Sequence, residues 1–342
     1  MNPGLFALSL LLVVSTLPAK ETTALPSSRI RAAASYSASE DGAALLIEQH
    51  DKTLLREFHK GRRPDEPLRI YSGTKFFWCM AACVAEERKL LQLNDRVSDT
   101  ISEWRGINAK STITIRQLLN FTSGLPPLES LHEDNITNRN ALALRAPLAA
   151  TPGTRFIYGP ASLQIFHEVL KRKLSPRDQT PVQFLERHVL RPLGLGPQRY
   201  VPDMSGTPLM DAGFMLTADQ WFKIGKLILR SGRPVISPES LNECLTGTSP
   251  SPAFGLGLWN NRLAASASAR ELNIPKLLLK KWPDQSWRNG CLSKLAPPDL
   301  IACIGSHGQR IYVVPSMELI IVRTGVRGDF SDARFLALLF KD

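Results

Sequence analysis

Ser72 and Lys75 stand three residues apart in Ile70-Tyr71-Ser72-Gly73-Thr74-Lys75, and an apolar run from Phe76 to Val84 follows at once. Residues three apart share a helix face, so a helix through this stretch sets the hydroxyl beside the amine. The pair would lie at the helix start, where backbone N–H groups lack helical partners. A serine hydroxyl is a weak nucleophile until a base takes its proton. A lysine in a site that disfavours its charge can be that base, and the Ser72 N–H can be one oxyanion donor. The chemistry on offer is covalent acyl transfer. The competing reading makes Ser72 a helix cap and Lys75 a solvated first-turn residue. Phe76, Phe77 and Trp78 place Lys75 at the edge of a core element, which favours chemistry.

The elements around this pair follow from pattern. Gly42 to Glu48 and Thr53 to His59 read as a β-hairpin turning at His50-Asp51-Lys52. Helical periodicity marks Ile115 to Leu119, Ser162 to Leu170, Val182 to Leu190 and Ala218 to Leu229. Thr217 would cap the last of these and Gly232 stop it. Arg191 to Pro197 reads as a turn and Ala264 to Ala269 as a loop. Strands are expected at Phe254 to Asn260, Arg310 to Val314 and Glu318 to Thr324, and a closing helix at Ser331 to Phe340. Both chain ends thus supply strands and the middle supplies helices. The expected fold is α+β: one antiparallel sheet built from both ends, flanked by helices, with a mostly helical lobe inserted at about residues 85–240.

A chain of 342 residues has ample material for a core. Hydrophobic residues at 43% and charged residues at 21% are those of a soluble globular protein. The formal charge of +11 invites a nucleic-acid reading. The densest clusters, Lys60 to Arg63 and Lys171 to Lys173, lack interleaved aromatics or a zinc pattern, so no nucleic-acid partner is expected. Weak attraction to an anionic cell wall or membrane surface stays open. The run Leu5 to Leu17 is short for a membrane span and suits a signal-peptide core, with Ala19 or Ala24 before the cleavage site. That divides the chain into a signal peptide at 1–24, a linker at 25–40 and one domain at 41–342. It implies export, to the periplasm in a Gram-negative host; an uncleaved anchor is the alternative. Cys79 and Cys83 read as small core residues. Cys291 and Cys303 could pair in an oxidising compartment, which leaves Cys244 over. No Cys/His spacing fits zinc, and neither metal nor cofactor is expected.

Six stretches in order make the chain resemble the β-lactamase-related serine hydrolases, a superfamily of class C β-lactamases, D-alanyl-D-alanine carboxypeptidases, family VIII carboxylesterases and nylon-oligomer hydrolases. Ser72-Gly73-Thr74-Lys75 matches the Ser-x-x-Lys box. Leu90 to Trp104 and Thr114 to Leu125 resemble two further segments, with Phe121 where histidine is usual. Pro152 to Tyr158 matches the approach to the Tyr-x-Asn box, and Pro192 to Leu195 and Gly255 to Trp259 also fit. The resemblance covers nearly the whole chain after the N-terminal run.

It implies a serine hydrolase that acts through an acyl-enzyme on small-molecule or peptide substrates: esters, amides or wall-derived peptides. Ser72 would be the nucleophile and Lys75 with Tyr158 the base system, since a cation favours phenolate. Pro160 stands where the resemblance expects a substrate-binding asparagine, which weakens the case for β-lactam hydrolysis and leaves ester or simple amide hydrolysis intact. The last box matches Gly305-Ser306-His307-Gly308-Gln309. There the N–H of Ser306, or of His307, would complete the oxyanion hole with that of Ser72. His307, Gly308 and Gln309 would help bind substrate; His307 reads equally as a turn residue. A Ser-His-Asp hydrolase is disfavoured because Ile304 to Gly308 lacks the first glycine of a nucleophile elbow. A non-catalytic relative that binds wall or other ligands is the remaining alternative, favoured by Pro160 and Phe121.

Overall fold

In the computed structural model the described residues are 24–274, 287–327 and 329–341. The expected signal peptide lies almost wholly outside them. The strands are β1 (Gly42–Gln49), β2 (Lys52–Phe58), β3 (Leu68–Arg69), β4 (Met215–Leu216), β5 (Trp259–Asn260), β6 (Arg270–Glu271), β7 (Gly290–Cys291), β8 (Ile301–Gly305), β9 (Gln309–Val314) and β10 (Leu319–Gly325). The helices are α1 (Ser27–Ser39), α2 (Thr74–Glu87), α3 (Val97–Thr100), α4 (Ile115–Leu119), α5 (Arg139–Arg145), α6 (Pro160–Leu174), α7 (Pro181–Leu185), α8 (Ala218–Leu229), α9 (Pro238–Leu245) and α10 (Asp332–Phe340).

The main sheet is antiparallel, in the order β2-β1-β10-β9-β8-β5. It joins strands from the two chain ends, as expected. His50 and Asp51 at the hairpin turn both take positive φ, which matches the twist of the flanking strands. Every residue of β9 and β10 is buried, because helices cover both faces. On one face Gly225 brings α8 onto the sheet: a Cβ there would stand 2.5 Å from Ile320 Cγ2. On the other face Arg323 of β10 donates to the Ser37 and Glu40 carbonyls, and Arg310 of β9 pairs with Asp332 of α10. α2 is buried on nearly all sides, the mark of a central helix.

Three expectations differ. Residues expected as linker form α1 from Ser27 to Ser39, tied to β10 by those arginine bonds. The strand expected at Phe254 to Asn260 joins the main sheet only at Trp259–Asn260, and Phe254 folds back to bridge Trp259. Gly255 and Gly257 fold the rest into a loop, with Gly257 at φ +80 pressed against Phe76. Cys291 and Cys303 do not pair: all five cysteines are buried free thiols, and Cys303 Sγ faces the Gly73 carbonyl. Cys244 instead lies beside Cys83, with sulfurs 3.7 Å apart. Thr217 caps α8 as expected, in a reciprocal bond pair with Gln220.

Candidate active site

Ser72 sits in a 3-10 turn, Tyr71–Gly73, that runs straight into α2. Tyr71 holds φ at +47, unusual for a bulky residue, so the turn carries strain next to the serine. One turn along, Lys75 points back, and its Nζ donates to Ser72 Oγ at 2.9 Å. The expected pair is therefore formed. Tyr158 joins it from the loop before α6: its hydroxyl bonds to Ser72 and Lys75, and its ring lies 4.4 Å from Lys75 Nζ. The ring is fixed by Phe121 and Phe254, with centroids 4.8 and 5.9 Å away. Phe121, in the place where the resemblance expects histidine, thus serves as an apolar wall.

Two groups that no spacing announced complete the cluster. Asp211 accepts from Lys75 Nζ through both its carbonyl and Oδ2, each at 3.1 Å. His132 Nε2 lies 3.0 Å from the same Oδ2. The loop that carries Asp211 is tied to the serine turn: β3 pairs with β4, Ile70 N–H donates to Phe214, and Arg69 Nε donates to the Ala212 carbonyl. His132 ends a short turn, Glu129–His132, which buried Arg139 braces by donating to the Leu131 and Glu133 carbonyls.

Burial would strip Lys75 of its charge, yet the Asp211 carboxylate and Tyr158 oxygen outweigh it and hold the ammonium above its ordinary pKa. The expectation of a lysine whose charge is disfavoured is reversed here by a buried counter-charge. Burial likewise works against the Asp211 carboxylate, but Lys75 and His132 hold it far below the usual range. Asp211 raises the His132 pKa above its ordinary value against the pull of burial. Burial raises the Tyr158 phenol despite Lys75, so it is protonated at neutral pH.

Ser72, His132, Tyr158 and Asp211 line a cleft of about 410 Å³, with Lys75 buried behind them. Ser306 and His307 line its far wall, and Pro160 and Gly159 another. His307 has φ +57, and its ring lies 4.7 Å from that of Tyr71. Pro160 is the first residue of α6, where its missing N–H costs nothing. Gly308 and Gln309 are placed otherwise. The Gly308 carbonyl accepts from Arg323, and Gln309 is buried with its amide donating to the Gly325 carbonyl. Neither side lines the cleft. Among the described residues no group of His, Cys, Asp and Glu could hold a metal ion, and no helix is long and apolar enough to cross a membrane.

The Beta-lactamase family model matches residues 30–322. The chain belongs to the beta-lactamase family. A class C beta lactamase from Rhodobacter sphaeroides has the same fold, with TM-score 0.64 and 18% identity over 91% of this chain and 97% of that one. So has a D-stereospecific amidohydrolase from Streptomyces, with TM-score 0.65 and 15% identity over 92% and 99%. Protein flp of Staphylococcus aureus is 28% identical over 169 residues, 44% of this chain. That match spans only 33% of the relative's length. In this member of the beta-lactamase family Ser72, Lys75 and Tyr158 lie together, with Asp211 and His132 behind the lysine.

Proposed function

We propose that this protein is a serine hydrolase that forms an acyl-enzyme on Ser72, with Lys75 and Tyr158 moving the serine proton to the leaving group. The observation that carries the reading is the 2.9 Å contact from Lys75 Nζ to Ser72 Oγ at the floor of an open cleft, with the Tyr158 hydroxyl on the same pair. The N–H groups of Ser72 and Ser306 are the oxyanion donors in this reading. Esters and simple amides are the substrate class, because Pro160 gives the cleft no side-chain donor for an extended amide. The Leu5 to Leu17 run supports export, with the mature chain starting between about Lys20 and Leu25.

A fluorophosphonate probe tests the reading. Wild type should be labelled at Ser72, by mass, and Ser72→Ala should not be. Turnover of a short-chain p-nitrophenyl ester should fall by on the order of 10⁶ in the same variant. An unlabelled wild type would leave the non-catalytic binder as the better reading.

A further inference from the structure

Ser72, Lys75, Asp211 and His132 form one unbroken line of contacts. Lys75 Nζ is 2.9 Å from Ser72 Oγ and 3.1 Å from Asp211 Oδ2, and that oxygen is 3.0 Å from His132 Nε2. The Lys75 and Asp211 side chains are 1% and 3% exposed, and that of His132 is 41% exposed, facing the cleft. The line runs from the buried amine to solvent.

Resting on the hydrolase reading above, we propose that Asp211 is the positioning residue for Lys75 and that His132 shares its proton, so that His132 governs when Lys75 can act as a base.

The need arises from the charges. Lys75 can accept the Ser72 proton only as a free amine, yet Asp211 holds it as an ammonium. Withdrawing that carboxylate would leave a buried cation alone, which is costly. A second cation on the same carboxylate resolves this. When His132 is an imidazolium it takes up part of the Asp211 charge, and the hold on the Lys75 proton weakens. In the resting form Lys75 is ammonium, Asp211 carboxylate and His132 neutral. In the primed form one N–H bond at Lys75 is broken and one at His132 is made. Both forms carry the same number of protons, so priming needs no net uptake or release. Ser72 Oγ then bonds to the substrate acyl carbon. Its proton passes to Lys75 Nζ and on to the leaving group as the C–O or C–N bond breaks.

Pro160 begins α6 and offers Lys75 no side-chain acceptor. Asp211 supplies two acceptors from a different loop, its carbonyl and its carboxylate. Three charged groups act on His132 and a fourth lies in the same cleft. Asp211 in the loop before β4 raises its pKa, Lys75 in α2 and Arg69 in β3 lower it, and Glu129 of its own turn lines the same cleft.

Proton sharing predicts a specific pH profile. Adding a second proton to the Lys75–His132 pair removes the primed form. The ester kcat/KM of wild type should therefore fall on the acid side with a midpoint above 6.5, the ordinary histidine value, run flat above it, and climb again only where Lys75 loses its own proton. In His132→Asn the flat region should vanish. The rate should climb with pH throughout, toward the raised lysine value, and be at least ~10-fold down at pH 7. Asp211→Asn should lose ~10²-fold in kcat with KM little changed.

The experiment measures these profiles with a p-nitrophenyl ester, and follows the His132 ring by NMR titration in wild type and Asp211→Asn. The His132 midpoint should drop in that variant. Should Asp211→Asn fail to fold, the His132→Asn profile still decides. A wild-type-shaped profile in His132→Asn, or an unmoved His132 midpoint in Asp211→Asn, overturns the proposal. The titration needs no turnover. A moved midpoint in a protein inert to ester and fluorophosphonate would therefore defeat the hydrolase reading, and the priming role with it, while the pairing stood.

Discussion

Gly305, the last residue of β8, lies so close to Ile70 that a Cβ built on it would stand 2.1 Å from the Ile70 carbonyl oxygen. Ile70 is two residues before Ser72, and Ser306 follows Gly305. This one approach of backbone to backbone fixes the distance between the serine turn and the loop that lines the opposite side of the cleft. A side chain cannot be inserted there without moving one of them.

Gly305→Ala should therefore push the serine turn and the Ser306 loop apart, and with them the two proposed oxyanion donors. Ester kcat should fall by roughly 10²–10³, the cost of losing one oxyanion donor. Labelling at Ser72 should slow but persist. Wild-type kcat in a folded Gly305→Ala protein would place the second donor elsewhere.

Pro160→Asn should raise the ratio of amide to ester turnover, because it returns a donor to the cleft wall that Pro160 now lines. Proline at the first position of a helix is favourable but replaceable, so α6 should survive. Steady-state kinetics on one ester and one β-lactam, for both proteins, give the answer. Wild type that prefers the β-lactam would show that residue 160 does not discriminate.

His167 gives the fold an acid-sensitive point away from the cleft. Burial lowers its pKa from 6.5 to about 4, and Asn140 Nδ2 lies 2.8 Å from its Nδ1. The unfolded chain binds a proton that the folded state refuses. The neutral ring therefore costs nothing above pH 6.5, and stability falls as pH drops from there toward 4, by about 3 kcal/mol in all. Urea unfolding at pH 7 and pH 4.5 should show the slope, and His167→Gln should flatten it. Equal slopes would assign the acid sensitivity to other groups.

Asp332 anchors α10 to the sheet from within the core. Its carboxylate accepts from Arg310 Nε at 2.5 Å and Nη2 at 3.0 Å, and from the Tyr312 hydroxyl at 2.5 Å. Arg310 and Asp332 are both fully buried. Asp332→Ala leaves a buried guanidinium without its charge partner and should cost about 3–5 kcal/mol. The loss is read by urea denaturation; a loss under about 1 kcal/mol would mean that water reaches Arg310 in the variant.

Whatever depends on near neighbours in the chain was legible in the sequence. The Ser72–Lys75 contact follows from helix spacing, the hairpin from alternation around His50 and Asp51, and the α8 cap from Thr217 and Gln220. The antiparallel sheet joining both chain ends followed from where the strand patterns lie. Tyr158 was reached only through the motif leading up to it, and its aromatic seat against Phe121 and Phe254 was not visible. α1 was read as linker because its own residues form a weak pattern. It is held by Arg323, 286 positions from its partner Ser37. Phe254 to Asn260 read as a strand because its apolar residues do not show that Gly255 and Gly257 bend the backbone against Cys244 and Phe76.

By itself the sequence determined the Ser72–Lys75 contact and the family fold, since these rest on local spacing and on motifs in order. Only the tertiary structure decided the charge of that lysine. Asp211 is 136 positions from Lys75 and 79 from His132, and all three lie on different elements. A buried amine keeps or loses its proton according to the net field of the groups around it. That field exists only once β3 pairs with β4 and Arg139 braces the His132 turn, so no reading of residue order could have supplied it.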